Sequence, residues 1–242
     1  MAKATNKIEG YVIKRATCRE QDAMVGVLSA AGLTSFLGRG VLKSGGKNAP
    51  SCLSLAYSSF LLNVDSNSSF SLKEGKLLSL PDGRDSFERL SAFTFVSEIT
   101  AKVIPEGEGK EVFPFLDAFM KAEDKGFDPF SGAFLYLCGL LRSIGCGLEV
   151  SQCVTCGVRN DIVGVSLIEG GFICANCLEA EGFMRLPVNL LKMLRYGFLY
   201  PPNDFGRVSF DIEDSKTLLH LLSSYFFDQT GVKIESLELL LN

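Results

Sequence analysis

The sequence has few residues of two kinds, tryptophan and histidine. Among its 242 residues there is no tryptophan and only one histidine, His220, which lies in the apolar stretch LLHLL. No Ser/His/Asp or Cys/His arrangement can be built around it, and we expect this histidine in the core or at its edge. The scarcity of histidine therefore argues against nucleophilic or acid–base catalysis.

Long apolar runs are also missing. Nowhere do about 18 apolar residues follow one another, so we expect no membrane-spanning helix. The N-terminal stretch MAKATNKIEG has no apolar run of signal-peptide length, which predicts a cytoplasmic protein. In a reducing compartment, the eight cysteines indicate free thiols and metal ligands more than a disulfide framework.

A phosphate-binding loop is absent as well. In the glycine-rich stretch GRGVLKSGGKN, Gly40 is followed by Gly45, but Gly46 stands where such a loop requires lysine. Asn48 follows Lys47, where serine or threonine belongs. No catalytic motif remains, and the sequence predicts a binding protein that is not an enzyme.

Charge is distributed unevenly along the chain. The net charge is −4, but residues 1–80 hold ten Lys/Arg against five Asp/Glu, a balance of +5. The rest of the chain holds 14 against 23, a balance of −9. Such asymmetry indicates an anion-binding module attached to an acidic body, although ordinary surface solvation would give the same pattern.

The basic part of the chain has the pattern of short strands. Aromatic and β-branched residues recur at near-alternate positions, and polar or glycine-rich turns separate the stretches. We predict strands at 8–15, 23–30, 33–42, 54–64 and 76–80. Five strands of this length are compatible with a small closed barrel.

After the turn PDGRD the apolar spacing becomes helical. We predict helices at 86–104, 111–124, 129–145, 187–199 and 214–231. The first should begin at the N-cap Ser86 and bury a stripe that includes Phe87 and Leu90. The third is apolar nearly all round, which predicts a central position, and the last should be capped by Asp214.

Four cysteines form the most specific motif of the chain. Cys153, Cys156, Cys174 and Cys177 make two Cys-x-x-Cys pairs with 17 residues between them, and the turn at Glu169–Gly171 predicts a hairpin. This spacing matches a tetrahedral zinc site with four thiolate ligands, one zinc per chain. With no position left for water, the metal would be structural, although iron in the same cage stays open.

Other readings of the eight cysteines are weaker. A thioredoxin-like redox pair requires one Cys-x-x-Cys at a helix start in a βαβ unit, which this segment lacks. The remaining Cys18, Cys52, Cys138 and Cys146 show no pairing pattern, and we expect them to be buried free thiols.

Several stretches together resemble the RecO family of bacterial recombination mediators. EGYVIKR and REQDAMVGVLSAAGLTSFLGRGVLKSGGK resemble its N-terminal barrel, through Gly10–Lys14, Glu20 with Asp22, Gly32 and the basic strand end at Gly38–Gly40. FLYLCGLLRSIGCGLEVSQCVTCG, EGGFICANC and SYFFDQTGVKIESLELL resemble its central helix, its cysteine pairs and its C-terminal helix. The resemblance runs in order through nearly the whole chain.

The resemblance implies an α+β protein of several domains. An OB-fold barrel would occupy residues 1–80 and a helical domain residues 81–242, with a zinc-binding module inserted at 150–180. It also implies DNA repair and recombination: binding of single-stranded DNA, annealing of complementary strands, and recombinase loading with RecR on strands coated by single-strand-binding protein. The location implied is the bacterial cytoplasm, near the nucleoid.

The resemblance also directs attention to particular side chains. The candidates for DNA phosphate contacts are the basic residues of the barrel: Lys14, Arg15, Arg19, Arg39, Lys43 and Lys47. Stacking on bases would fall to Tyr11, Phe36, Tyr57 or Phe60. The candidates for the acidic tail of single-strand-binding protein are Lys121, Lys125 and Arg142. The basic loop is thinner than in many relatives, which predicts a modest DNA affinity.

Two other classes of function stay open. In one, the acidic body is a protein–protein adaptor and the barrel docks a partner without contacting DNA. In the other, the chain is a zinc-ribbon factor of transcription or translation that binds structured RNA or a polymerase. Salt-dependent binding to single strands distinguishes the mediator from the adaptor.

Overall fold

The N-terminal strands close into a barrel. The computed structural model describes residues 5–65, 69–81 and 86–241. The barrel strands are β1 (Thr5–Thr17), β2 (Ala23–Ser29), β3 (Gly32–Gly38), β4 (Tyr57–Val64) and β5 (Phe70–Ser79). Their order is β1-β2-β3-β5-β4, closed by the antiparallel pairing of β4 with β1 and by a parallel contact between β3 and β5. This five-stranded closed barrel fits the predicted OB fold.

Strand β5 is longer than predicted. It begins at Phe70 and not at residue 76, because its first half pairs with β4 from Val64 to Leu61. Lys73 and Glu74 are consecutive polar residues, so they interrupt the alternation of apolar and polar residues in the first half of the strand. Both are exposed, while their neighbour Leu72 packs against the barrel interior.

The barrel has a core of its own. Val12, Val25, Phe36, Phe60 and Leu62 are fully buried inside it. The rings of Phe36 and Phe60 lie 5.0 Å apart between centroids, in a tilted arrangement. Residues of alternating position on each strand face this interior, as the strand period requires.

Strand β1 also contributes to a second core. A bulge between Val12 and Lys14 shifts the register of its pairing with β2. Tyr11 and Ile13 belong to the hydrophobic cluster of the helices, while Val12 between them belongs to the barrel interior. The middle of β1 is therefore buried on both faces.

Six helices and a small sheet make up the rest of the described chain. The helices are α1 (Phe87–Val103), α2 (Phe113–Glu123), α3 (Pro129–Ser143), α4 (Val188–Leu199), α5 (Ile212–Thr230) and α6 (Leu237–Leu241). Every residue of α3 from Phe130 to Leu141 is buried, which confirms the predicted central helix. No described helix is both long enough and apolar enough to cross a membrane.

Two details of the helix predictions are wrong. Ser86 does cap α1, accepting the N–H of Arg89, but Phe87 and Leu90 are 60% and 48% exposed. Helix α1 carries apolar residues of its own on all sides, so its sequence does not indicate which face is buried. Packing against α3 and β1 determines the buried face. Helix α5 is capped by Asp211 and not Asp214, because the Asp211 carboxylate accepts the backbone N–H groups of Glu213 and Asp214.

Direct hydrogen bonds join the barrel to the helices. Leu33 of β3 donates its N–H to the carbonyl of Glu108 at 2.7 Å and accepts from Gly107 at 2.8 Å. Ser97 of α1 donates to the carbonyl of Ile13 at 2.7 Å. The loop between α1 and α2 thus extends the barrel edge, and α1 is fixed along β1.

The second sheet is short and lies on the helical core. It consists of β6 (Glu149–Cys153), β7 (Ile162–Ser166), β8 (Gly171–Cys174) and β9 (Phe183–Arg185), in the order β6-β8-β7-β9. Val150, Val165 and Phe172 are buried in the cluster that the helices form. The predicted turn PDGRD falls mostly on residues 82–85, which lie outside the described residues, so the domain limits stay predictions.

Glu123 is an unusual buried acid at the junction of α1, α2 and α3. Its side chain is fully buried, and neither carboxylate oxygen has a hydrogen-bond partner among the described residues. Arg89 Nε lies 3.9 Å from Glu123 Oε2. Burial raises the pKa of Glu123 to about 8; Arg89 opposes this shift, and Asp128 and Asp124 add to it.

We predict that Glu123→Gln changes the pH dependence of stability. The pKa is higher in the folded state than in the unfolded chain, so the folded state holds an extra proton between about pH 4.5 and 8. As the pH rises through this window, the wild-type free energy of unfolding should therefore fall by on the order of 1–3 kcal/mol relative to that of the variant. Urea unfolding at several pH values measures it.

The control is Glu111→Gln, which removes an exposed carboxylate from the loop before α2. Its unfolding free energy should follow the wild-type curve. Parallel curves for Glu123→Gln and wild type would contradict the assignment of Glu123 as protonated in the folded state.

Candidate functional site

Two strand ends and the turns after them carry the four cysteines. Cys153 ends β6 and Cys174 ends β8, and the parallel pairing of these strands places the two ends side by side. Cys156 and Cys177 follow in tight turns, in which Gly157 donates its N–H to Cys153 and Cys177 to Cys174. Gly157 has φ +76°, a backbone conformation that glycine adopts without strain.

The sulfur atoms of these cysteines form a compact cluster. All four lie within 4.8 Å of one another, and the Sγ atoms of Cys156 and Cys174 are 3.6 Å apart. No disulfide joins them, since a disulfide bond is about 2.05 Å long. Four thiolates around one zinc at ~2.3 Å would be separated by about 3.8 Å. The geometry fits one four-coordinate metal ion.

The electrostatics of the cluster favour a bound cation. Burial acts to raise the pKa of the Cys153 thiol, but hydrogen bonds from the backbone N–H groups of Cys174, Cys156 and Thr155 outweigh it. The net pKa of Cys153 is lowered to about 6. The neighbouring sulfur of Cys156, and then burial, raise the pKa of Cys177 to about 12. The neighbouring sulfurs thus disfavour ionisation of Cys177, and a divalent cation would relieve this repulsion.

The cluster is tied to the helical body. Cys153 and Cys174 are buried, whereas Cys156 is exposed and Cys177 half-buried. Arg195 of α4 donates to the carbonyl of Ser151 in β6 at 3.0 Å. Four protein sulfurs would complete the coordination shell, so the arrangement suits a structural metal rather than one that activates water.

The remaining cysteines follow the expectation only in part. Cys52 and Cys138 are buried, and burial raises the pKa of both thiols. Cys146 is half-buried and Cys18 is exposed, because Cys18 lies in the turn between β1 and β2 and not inside the barrel. His220 is exposed on α5, contrary to the expected place in the core or at its edge.

Three of the basic candidates meet at one end of the barrel. Arg19 lies in the turn after β1, and Arg39 and Lys43 lie in the loop after β3; all three are exposed. Hydrogen bonds hold the turn and the loop together, from Gly40 N–H to the Asp22 carboxylate and from Leu42 N–H to the Gln21 carbonyl. We call Arg19, Arg39 and Lys43 the barrel-end cluster.

The barrel-end cluster carries free positive charge. None of its three side chains forms an ion pair within the described part of the chain, where the ion pairs involve other lysines and arginines. Lys47, by contrast, pairs with Glu74 at 3.3 Å. An anion at this end of the barrel would meet three cations without first displacing a carboxylate.

The other two basic candidates do not share one face. Lys14 pairs with Gly26 and Arg15 with Val25 in the register of β1 and β2. Opposed residues point to the same side of a sheet, and Val25 faces the barrel interior. Arg15 therefore extends on the interior side near the barrel rim, whereas Lys14 extends outward, towards α1.

The aromatic candidates are not available for stacking as a group. Phe36 and Phe60 are fully buried inside the barrel, and Tyr11 is 6% exposed. The Tyr11 hydroxyl donates to Asp117 of α2 at 3.0 Å, and its ring contacts Tyr57. Only Tyr57 is partly exposed. A barrel this small requires its aromatic side chains for packing.

The three residues predicted to bind the tail of single-strand-binding protein do not all lie together. Lys121 and Lys125 line a cleft of about 640 Å³ between α2 and the segment after α4. Arg142 does not line this cleft; it donates to the carbonyl of Tyr200 at 3.1 Å and lies over the ring of Phe115. Arg207, which the sequence pattern did not single out, also lines the cleft.

The geometry defines an OB-fold protein whose helical body carries a four-cysteine cluster fit for a metal. Residues 84–238 match the family described as "Recombination protein O C terminal". Relatives described as "DNA repair protein RecO" include those of Bacillus cereus (strain B4264), Bacillus mycoides (strain KBAB4) and Bacillus anthracis (strain CDC 684 / NRRL 3495). Each is 25% identical over 235 residues, which cover 95% of this chain and 94% of the relative.

The chain belongs to the RecO family, and its role lies in DNA repair and recombination. Among solved structures, the asparaginyl-tRNA synthetase of Pyrococcus horikoshii matches with a TM-score of 0.26 and 7% identity, over 52% of this chain and 33% of its own. That similarity is too low to indicate a shared fold.

We predict that Cys174→Ser releases the metal and destabilises the protein. A cage that closes on folding contributes to the folding free energy, and serine is a poor replacement for a thiolate ligand. Elemental analysis of protein purified without added metal should find about one zinc per wild-type chain and much less in the variant. Thermal unfolding should show a lower Tm for the variant.

Cys146→Ser is the matched control, because Cys146 is half-buried and near in sequence but is not part of the cluster. It should keep the wild-type metal content. A wild-type protein without metal, in which all four cluster thiols react freely, would contradict the zinc assignment.

Proposed function

We propose that the chain is a non-enzymatic recombination mediator that binds single-stranded DNA through the barrel-end cluster. The observation that carries the proposal is the meeting of Arg19, Arg39 and Lys43 on two hydrogen-bonded loops at one end of an OB barrel, without ion pairs in the described residues. Strand loops at the end of such barrels are a common place for binding nucleic acid.

Binding at this end would rest on phosphates more than on bases. The barrel aromatics are largely buried, so few rings are exposed for stacking. Lysine and arginine contacts to phosphate release counterions and carry no sequence information. We therefore expect binding that ignores sequence and weakens steeply with salt.

Annealing of complementary strands would follow from the same charges. Two polyanions approach each other only where positive charge offsets their repulsion, and this step requires no nucleotide hydrolysis. Residues 1–80 have a balance of +5, and no phosphate-binding loop is present in the sequence. Both features suit an annealing protein and not a nucleotide-driven motor.

Access to coated strands would come from partners. We propose that the cleft with Lys121 and Lys125 accepts the acidic, apolar tail of single-strand-binding protein, and that RecR joins during recombinase loading. Pro114, Phe127 and Phe205 supply apolar walls for such a tail, and Arg207 adds a third basic residue. Lys121 and Arg207 each pair with a carboxylate at 2.7 Å, Asp117 and Asp204, so the tail would have to displace these carboxylates as well as override the balance of −9 in the body of the chain.

The metal and the location complete the proposal. Zinc at Cys153, Cys156, Cys174 and Cys177 would stabilise the helical body without taking part in DNA binding. The barrel at 1–80, the helical domain at 81–242 and the zinc module at 150–180 would form the functional parts, in a bacterial cytoplasmic protein near the nucleoid.

We predict that Arg39→Ala with Lys43→Ala weakens binding to all single strands alike. For the phosphate contacts of Arg19, Arg39 and Lys43, log K of the wild type should fall against log salt with a slope of about −2. Loss of two contacts should make the slope less steep by about 1.4. Fluorescence anisotropy with labelled oligonucleotides of two sequences measures both effects.

Lys7→Ala with Lys110→Ala removes the same charge from exposed side chains that already pair with Glu9 and Glu111. This control should keep a slope close to that of the wild type. If the wild type does not bind single strands even at low salt, the chain is better described as a protein–protein adaptor.

We predict that the free tail peptide inhibits annealing only on coated strands. The peptide would occupy the cleft and so block docking on single-strand-binding protein, while leaving the barrel-end cluster free. Annealing of strands coated by single-strand-binding protein, followed by fluorescence quenching, should slow in its presence, and annealing of bare strands should not. An unchanged rate on both substrates would exclude the tail as the route onto coated DNA.

A further inference from the structure

A groove of about 630 Å³ lies between the barrel and α1. Its barrel side is made by Ile13 to Arg15 of β1 and by Leu53 to Leu55, and its helix side by α1 from Leu90 to Lys102. Ser97 closes its floor by donating to the carbonyl of Ile13 at 2.7 Å. The volume is in the range of pockets that bury small organic molecules.

The walls of the groove are apolar and its barrel rim is basic. Leu90 is 48% exposed although it lies beside buried core residues of α1. Lys14 and Arg15 are exposed and form no ion pair with a described residue. On the helix side the charges balance, because Lys102 contacts Glu98 at 2.6 Å. The free charge of the groove is therefore positive and lies on the barrel side.

The barrel side of the groove belongs to the same two chain segments as the barrel-end cluster. Strand β1 leads from Lys14 and Arg15 to the turn that carries Arg19, and the loop after β3 leads from Arg39 and Lys43 to Leu53. Both walls of the groove on the barrel side thus belong to the segments that carry the cluster.

We infer that this groove is a second part of the DNA site, in which bases of a single strand enter between the barrel and α1 while Lys14 on its rim contacts their phosphates. The inference rests on the function proposed above. The groove is a site apart from the barrel end. Its apolar walls would provide the contact with bases that the buried aromatic residues of the barrel cannot make.

The pattern of charge favours a nucleic acid over a peptide as occupant. Lys14 lies on the barrel rim, on the strand that leads to the turn with Arg19, and apolar walls lie beside it for the faces of the bases. Helix α1 rises about 1.5 Å per residue, so the wall from Leu90 to Lys102 extends about 18 Å. A length of this order exceeds one nucleotide.

The first test uses the absence of tryptophan from the chain. Leu90→Trp places one tryptophan on the groove wall, and Phe227→Trp places one at a matched site on α5, where Phe227 is 50% exposed. A base that stacks on the indole ring quenches its fluorescence. Titration with an unlabelled single strand at low salt should quench Leu90→Trp in parallel with binding measured by anisotropy, and leave Phe227→Trp unchanged.

The outcomes separate the two proposals. Binding by anisotropy without quenching of Leu90→Trp would overturn the groove site and leave the barrel-end site intact. Absence of binding by the wild type would overturn both. A fluorescence change on adding an acidic, apolar peptide, with none on adding DNA, would identify the groove as a peptide site and overturn the inference.

The second test changes charge in the groove without touching its core. Thr94 and Thr217 are exposed helical threonines that each donate to the carbonyl four residues earlier, at 2.7 and 2.8 Å. Glutamate and lysine form helices more readily than threonine, so substitutions at both sites should fold. Thr217 on α5 is the control for Thr94 on the groove wall.

We expect Thr94→Glu to lower the affinity for a long single strand about fivefold or more, as loss of one base contact would. Thr94→Lys should raise the affinity and make the salt slope steeper by about 0.7. Thr217→Glu and Thr217→Lys should match the wild type. Equal effects at the two positions, or no effect at Thr94, would overturn the groove site.

Discussion

The arrangement of the molecule depends on the burial of both faces of strand β1. Val12 points into the barrel, whereas Tyr11 and Ile13 on either side of it point into the core of the helices. A strand with two apolar faces cannot remain at a free surface, because either face would be left in water. The barrel and the helical body are therefore held together through one strand, and the hydrogen bonds from Tyr11 to Asp117 and from Ser97 to Ile13 fix its direction.

The four-cysteine cluster bears on the stability of the small second sheet. The sheet that carries it has strands of three to five residues, too short to bury much apolar area of their own. Its apolar face rests on the helices through Val150 and Phe172, and the cysteines gather at one end. A metal there would link β6 to β8 without a larger core. The same gathering would be costly for four thiolates alone, because the sulfurs of Cys156 and Cys153 raise the pKa of Cys174 and Cys177.

The charges of the chain are divided between structure and binding. In the helical body Lys102, Lys121 and Lys216 each contact a carboxylate on their own helix, which largely neutralises them locally. At the end of the barrel, the Asp22 carboxylate accepts a backbone N–H instead, so it holds the loop in place and leaves the nearby cations free. Free positive charge thus results from where the carboxylates are used, and not only from the number of basic residues.

The sequence by itself determined the features that depend on local spacing. Two Cys-x-x-Cys pairs at the spacing of a zinc site predict the four-sulfur cluster, and alternating apolar residues predict the barrel strands. The cap at Ser86 and the buried course of α3 likewise follow from neighbours in sequence. Tertiary structure alone decided which side of α1 is buried, since Phe87 and Leu90 are as apolar as Phe93 and only contacts with α3 and β1 distinguish them. Tertiary structure also brought together the two loops that carry Arg19, Arg39 and Lys43. It placed Lys14 and Arg15 on opposite sides of the sheet, because the side to which a strand residue points depends on register and on a bulge that composition does not reveal.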